Sequence, residues 1–149
     1  MEHAESFRDL VVYQKARVVS RRFFDLSKAF PKDERYSLTD QGRRASRSIG
    51  AQIAEAWAKR SYEKHFVSKL TDADGEQQET QHWVDTALDC GYVNRQTRDE
   101  MVSELERIGR MLQSMMEKLN CLRFTRTLRS GRGRGLLCPP VTDYRSPIT

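Results

Sequence analysis

The chain has 149 residues, 38% of them hydrophobic and 32% charged, with a formal net charge of +5. That length suits one domain whose core, though modest, is large enough to fold. The longest apolar run is residues 10–13, far short of the about 20 residues that cross a bilayer, and no basic–apolar–small leader opens the chain. The three cysteines, Cys90, Cys121 and Cys138, are odd in number and widely spaced, which excludes a disulfide framework and a zinc site and leads us to expect a soluble, cytoplasmic protein.

Four segments carry helical periodicity. In the first, Val12, Ala16, Val19, Phe23, Leu26 and Phe30 step by fours and threes along one face, with Ser6 as N-cap, Asp9 three positions on, and Pro31 as the stop. Ser37 is read as the second N-cap, ahead of a stripe of Leu38, Gly42, Ala45, Ile49, Ile53 and Ala56. Gly42 and Gly50 each lower helix propensity by about 1 kcal/mol relative to Ala, and a bend near Gly50 is compatible with that stripe. Ser61 is read as the cap of the third helix, with Phe66, Leu70, Ala73, Gln77, Thr80, Val84 and Ala87 facing inward and Gly91 as its stop. The fourth begins at Asn94 or at the Thr97–Glu100 capping box, with Met101, Leu105, Ile108, Leu112, Met115, Leu119 and Leu122 in register.

Long amphipathic helices joined by short connections predict an all-α, antiparallel up-down four-helix bundle over residues 1–122. Residues 123–149 read as an arginine-rich, Gly- and Pro-containing extension, flexible from about residue 125. Charge is unevenly spread. Residues 1–70 hold 15 basic and nine acidic groups, residues 71–122 hold five and 11, and the extension holds six arginines against Asp143. A basic front half beside an acidic back half suggests head-to-tail association of copies, which closes into rings.

Catalysis has little foothold. Glu79-Thr80-Gln81-His82 has the spacing of di-iron carboxylate bundles, but such sites need two of these strings, and neither His3 nor His65 supplies a second. There is no nucleophile elbow or phosphate loop, so no catalytic residue, metal site or cofactor is expected. Gln77 and Thr80 interrupt an apolar stripe, while Gln52 and Glu55 flank Ile53. Hydrogen bonds across helices or a subunit interface would satisfy these four.

The basic residues form rows: Arg17 and Arg21 on the first helix, Arg43 and Arg47 on the second, and Lys59, Arg60 and Lys64 around the second turn. Such rows are either a solvated face or a phosphate-binding surface, to which Arg129, Arg132 and Arg134 of the extension would add a mobile cationic arm.

The string from Gln41 to Ala56 (QGRRASRSIGAQIAEA) resembles the signature of the four helix bundle protein family, first noted as products of intervening sequences in bacterial large-subunit ribosomal RNA genes. The opening from Phe7 to Ala16, the Phe30-Pro31-Lys32 string, Gly75-Glu76, the run from Glu79 to Trp83 and Cys90-Gly91-Tyr92 share the resemblance, which covers roughly residues 6–122. Gln52 stands where that family usually has Asn, Ala56 where Gly is common, and Gly50 where Pro or Gly is frequent. The resemblance implies an antiparallel bundle that assembles as a homopentameric ring. It also implies kinship with accessory variability proteins of diversity-generating retroelements, which bind nucleic acid and a reverse transcriptase. The functional expectation is thus a non-enzymatic ring-forming scaffold that binds RNA or DNA through phosphates. The alternative is an oligomer that docks a protein partner, such as a reverse transcriptase, without touching nucleic acid.

Overall fold

The structure, a computed structural model, describes residues 4–129, with side chains through Leu119. Two compact units divide the chain, residues 1–116 and residues 117–149. The α-helices are α1 (Val11–Ser27), α2 (Asp40–Ala58), α3 (Glu63–Asp89) and α4 (Arg95–Arg129), and no strand occurs among the described residues.

The expected stripes along α2 and α3 are fully buried, while those of α1 and α4 are buried in part, with Leu26, Met115 and Leu119 only half-buried. Val12, Ala16, Val19 and Phe23 of α1 and Ala45, Ile49, Ile53 and Ala56 of α2 are buried, and α3 and α4 complete the first unit's core with Phe66, Leu70, Ala73, Val84, Ala87, Met101, Leu105, Ile108 and Leu112. Burying each large side chain contributes about 1.5–3 kcal/mol. Cross-helix contacts fix the topology. Lys15 of α1 pairs with Glu104 of α4, and Arg22, two turns later, with Glu100. Asp85 of α3 pairs with Arg98, while Asp74 accepts from Gln113 and Thr71 contacts Met116. Rising numbers on one helix meet falling numbers on the next, so these neighbours run antiparallel.

The ends of the helices show where local chemistry departs from the sequence reading. Ser6 and Asp9 do form a capping box, but on a short 3₁₀ turn, Phe7–Asp9, rather than on α1 itself. α1 stops at Ser27, before Pro31, so Leu26 is only half-buried and Ser27 takes the inward position. Ser37 is not an N-cap. It lies within a π-helical turn, Arg35–Thr39, that follows a 3₁₀ turn at Lys32–Glu34 and runs straight into α2, so no free helix end exists there to cap. Ser61 does not cap α3 either, since Tyr62 occupies that position without a side-chain hydrogen bond.

Gly91 behaves as read: at φ +76° it lets its own N–H donate to the Leu88 carbonyl and that of Tyr92 to Ala87, closing α3 in a Schellman turn. Of the two starts considered for α4, Asn94 is the one used, its Oδ1 accepting from the Thr97 N–H at 2.7 Å. After Leu112 it is Met116, four residues on, and not Met115 that is buried, and Val102 is also buried. In the second unit α4 continues through Arg129, past the expected start of the extension, in a stretch with no Gly or Pro before Gly131. The remainder of the extension lies outside the described residues.

Gln77 and Thr80 are buried as expected, but their hydrogen bonds do not cross helices. Gln77 donates to Asp74 and accepts from Gln81, and the Thr80 hydroxyl donates to the Glu76 carbonyl, all within α3. A long helix supplies partners one turn away, and Gly109 of α4 leaves the room that the Gln77 amide fills. Gln52 and Glu55 do reach across: both engage Lys69 of α3, at 3.1 and 3.0 Å.

Candidate nucleic-acid interface

The inward stripe of α1 turns Arg17 and Arg21 to its exposed side, and the same logic exposes Arg47 on α2. Where the two helices run side by side these three arginines line one open groove of about 580 Å³, together with Phe7, Tyr13, Ala16, Ser20, Phe24, Ser46, Gly50, Ala51 and Ala54. Ala16 and Ser46 are buried and the arginines exposed, so small side chains make the floor and guanidinium groups the rim. The Phe7 and Tyr13 rings meet edge to face at 4.9 Å, while Gly50 leaves one side of Tyr13 open to α2.

Phe24 is the hub of this surface. Arg43 and Arg47 place their guanidinium carbons 4.7 and 5.6 Å from its ring centroid, and the Lys28 ammonium sits at 4.7 Å. Each such contact contributes about 0.5–1 kcal/mol at an exposed site. Arg43 is further committed, its Nε donating at 2.7 Å to the Ser27 hydroxyl, which itself donates to the Phe24 carbonyl. It therefore holds α2 against the end of α1 as much as it faces outward. Arg21 and Lys28 both pair with Asp25, whose carboxyl they hold below the ordinary carboxylate range. Among the described residues Asp25 is the one carboxylate in direct contact with any of Arg17, Arg21, Lys28, Arg43 and Arg47.

The structure does not bring the other basic residues here. Lys59 ends α2, Arg60 folds back to donate to the Trp57 carbonyl and cover its ring at 4.5 Å, and Lys64 is exposed on the first turn of α3. Twelve residues of helix, about 18 Å, separate Arg47 from Lys59. The side chain of Arg129 lies outside the described side chains, and Arg132 and Arg134 lie outside the described residues. The aromatic members of the groove were not singled out from sequence. Tyr13 and Phe24 fall off the core stripe of α1, and large rings at off-stripe positions beside arginines were the available signal.

Elsewhere basic and acidic groups meet within the chain. The Lys69 ammonium is held charged to higher pH by Glu55 first and Asp72 second, and Arg98 likewise by Asp85 and Asp99. Arg22 holds the Glu100 carboxyl below its usual range. Thus part of the complementarity between the basic and acidic halves is used inside one protomer. Glu79 accepts the Trp83 indole N–H and His82 packs against the Trp83 ring, so the E-x-x-H string is a surface pair. No cluster of three or more His, Cys, Asp or Glu side chains able to hold a metal occurs among the described residues, and none of the described helices is long and apolar enough to cross a membrane.

A sequence model described as 23S rRNA-intervening sequence protein matches residues 8–114. The chain belongs to this family. The match takes in every residue of the groove except Phe7 and stops short of the arginine-rich extension. The fold is similar to a crystal structure from Bacteroides thetaiotaomicron, a protein of unknown function from the S23 ribosomal protein family. That likeness has a TM-score of 0.65 at 27% sequence identity, covering 72% of this chain and 96% of the other. No curated protein matches the chain significantly.

Proposed function

We propose that this member of the family is a non-enzymatic, cytoplasmic helical scaffold that binds RNA or DNA through its phosphates and works as a ring of identical copies. The observation that carries the reading is the crowding of Arg17, Arg21, Lys28, Arg43 and Arg47 around one groove and one ring, with Asp25 as their one contacting carboxylate among the described residues. Like charges held that close repel one another, and a polyanion relieves the repulsion while releasing its own counterions. The groove lining contains guanidinium groups, rings, hydroxyls and methyl groups, but no histidine or carboxylate to act as acid or base. Phosphate contacts of this kind position a nucleic acid without reading its sequence. The assembly we propose is the homopentamer implied by the family resemblance, built so that the groove stays open.

Binding of random-sequence RNA and DNA, followed by fluorescence anisotropy across a salt series, tests this. The intact protein should bind both, with affinity falling steeply as salt rises. Arg17→Ala/Arg47→Ala should lower the salt slope on duplex DNA by about two, one unit for each phosphate no longer neutralised. A chain truncated after Leu122 should bind more weakly yet keep its fold and oligomeric state, since Met116 is the last buried side chain among the described residues. Absence of binding at low salt would refute the reading and leave the protein-docking oligomer in its place.

A further inference from the structure

The groove between α1 and α2 is selective in shape as well as in charge. The cations that line it are all arginines, whose planar forks pair with phosphate in two-point fashion and also lie flat against bases, with Lys28 reaching the Phe24 ring from outside the lining. Its small residues are Ala16 and Ser46, buried, Gly50 and Ala54, half-buried, and Ala51, exposed, and they leave a slot where bulkier side chains would fill it. Tyr13, with Phe7 edge-on against it, stands half-buried at its side and offers ring surface, while the Phe24 ring carries Arg43, Lys28 and Arg47.

A duplex presents a convex surface with its bases stacked inside, so it would touch only the arginine rim. An unpaired strand can lay phosphates on that rim and turn a base down against the rings. We infer that the α1–α2 groove is a single-strand subsite. Arg17 and Arg47 take backbone phosphates, and a nucleobase lies against the Tyr13 ring, one turn from Arg17 and beside Gly50. This rests on the nucleic-acid reading above and adds to it a preference for unpaired over paired segments. Every base has a flat face, so the preference is one of strandedness and not of sequence. Lys59, Arg60 and Lys64, beyond the groove, contribute to both kinds of nucleic acid alike.

The test compares an oligothymidylate with a mixed-sequence duplex carrying the same number of phosphates, at matched salt, on the full chain. The unmodified protein should bind the single strand about tenfold more tightly. Ala51→Leu puts a good helix former at an exposed site, fills the slot and leaves every charge in place. It should cut single-strand affinity to the duplex level while changing duplex affinity less than twofold. Lys59→Ala/Arg60→Ala should weaken both by the same factor. Equal or tighter binding of the duplex by the unmodified protein, or single-strand affinity untouched by Ala51→Leu, overturns the subsite and leaves phosphate binding standing. Failure to bind either nucleic acid removes both.

Discussion

Replacing Gly42 of α2 by alanine puts one methyl group against the Phe23 ring of α1. An ideal Cβ at Gly42 would lie 2.0, 2.5 and 2.9 Å from Cζ, Cε1 and Cε2 of Phe23. Carbon atoms rest about 3.5–4.0 Å apart, so the ring tip would have to recede by about 1.5 Å. It has nowhere to go, because Phe23 is 1% exposed and its ring packs edgewise on Phe30 at 6.2 Å. Over-packing of this kind costs about 1–3 kcal/mol, and a fixed ring tip puts this site at the upper end. Helix propensity returns about 1 kcal/mol, leaving a net loss of about 2 kcal/mol. Urea unfolding followed by circular dichroism would read that loss directly, and melting should fall by roughly 8 °C. In a Phe23→Leu background, where the ring tip is gone, Gly42→Ala should be neutral or stabilising. If Gly42→Ala is as stable as the parent, or costs the same in both backgrounds, the close approach is not what holds glycine there.

Gly75 and Gly91 should answer the same substitution with opposite signs in the same unfolding assay. Gly75→Ala, with open space around its Cβ inside α3, should gain about 1 kcal/mol, while Gly91→Ala, held at φ +76°, should lose about 1–2 kcal/mol. The Glu76 carboxyl is pushed above its ordinary range, by burial first and then by Glu79 and Asp72, with Arg44 opposing. Its folded form binds the proton more tightly than the unfolded chain does. Its contribution to stability therefore falls as pH rises from the ordinary carboxylate value through the folded one. Glu76→Gln should remove that slope and raise the urea midpoint at neutral pH, measured between about pH 4 and 7. Glu100, held low by Arg22, runs the other way, its contribution being lost as pH falls below the ordinary carboxylate value.

Most of the fold could be read from spacing, because a helix buries one face whatever it packs against. The stripes of α2 and α3 are buried residue for residue, from Leu38 to Ala56 and from Phe66 to Ala87. Helix starts were harder, since Ser37 and Ser61 have capping chemistry but sit where a π turn or Tyr62 sets the entry. Capping needs a free end, and only the three-dimensional path decides where one exists. The groove was half visible for a similar reason. Sequence places Arg17 and Arg21 on one helix and Arg43 and Arg47 on another, but the packing of α1 on α2 decides that Arg47 joins them at the groove, that Arg43 is drawn onto Ser27 and Phe24, and that Lys59 and Arg60 stay away.

The two ends of the bundle are built differently. At one, the connection after α1 and the connection after α3 are locked together: Phe30 packs on the Tyr92 ring at 5.6 Å, and the Tyr92 hydroxyl donates to Glu34 at 3.0 Å. At the other, α2 passes to α3 through Lys59, Arg60, Ser61 and Tyr62, the last three exposed, where Arg60 lies on Trp57 and Tyr62 beside His65, both close in sequence. The consequence is a polarity useful for engineering. Peptide tags, fluorescent reporters or a fused domain spliced between Arg60 and Ser61 would leave the core undisturbed, whereas the same insertion after Phe30 or Tyr92 would part a clasp that joins both halves of the chain. Natural length variation in relatives should gather at the same unclasped end.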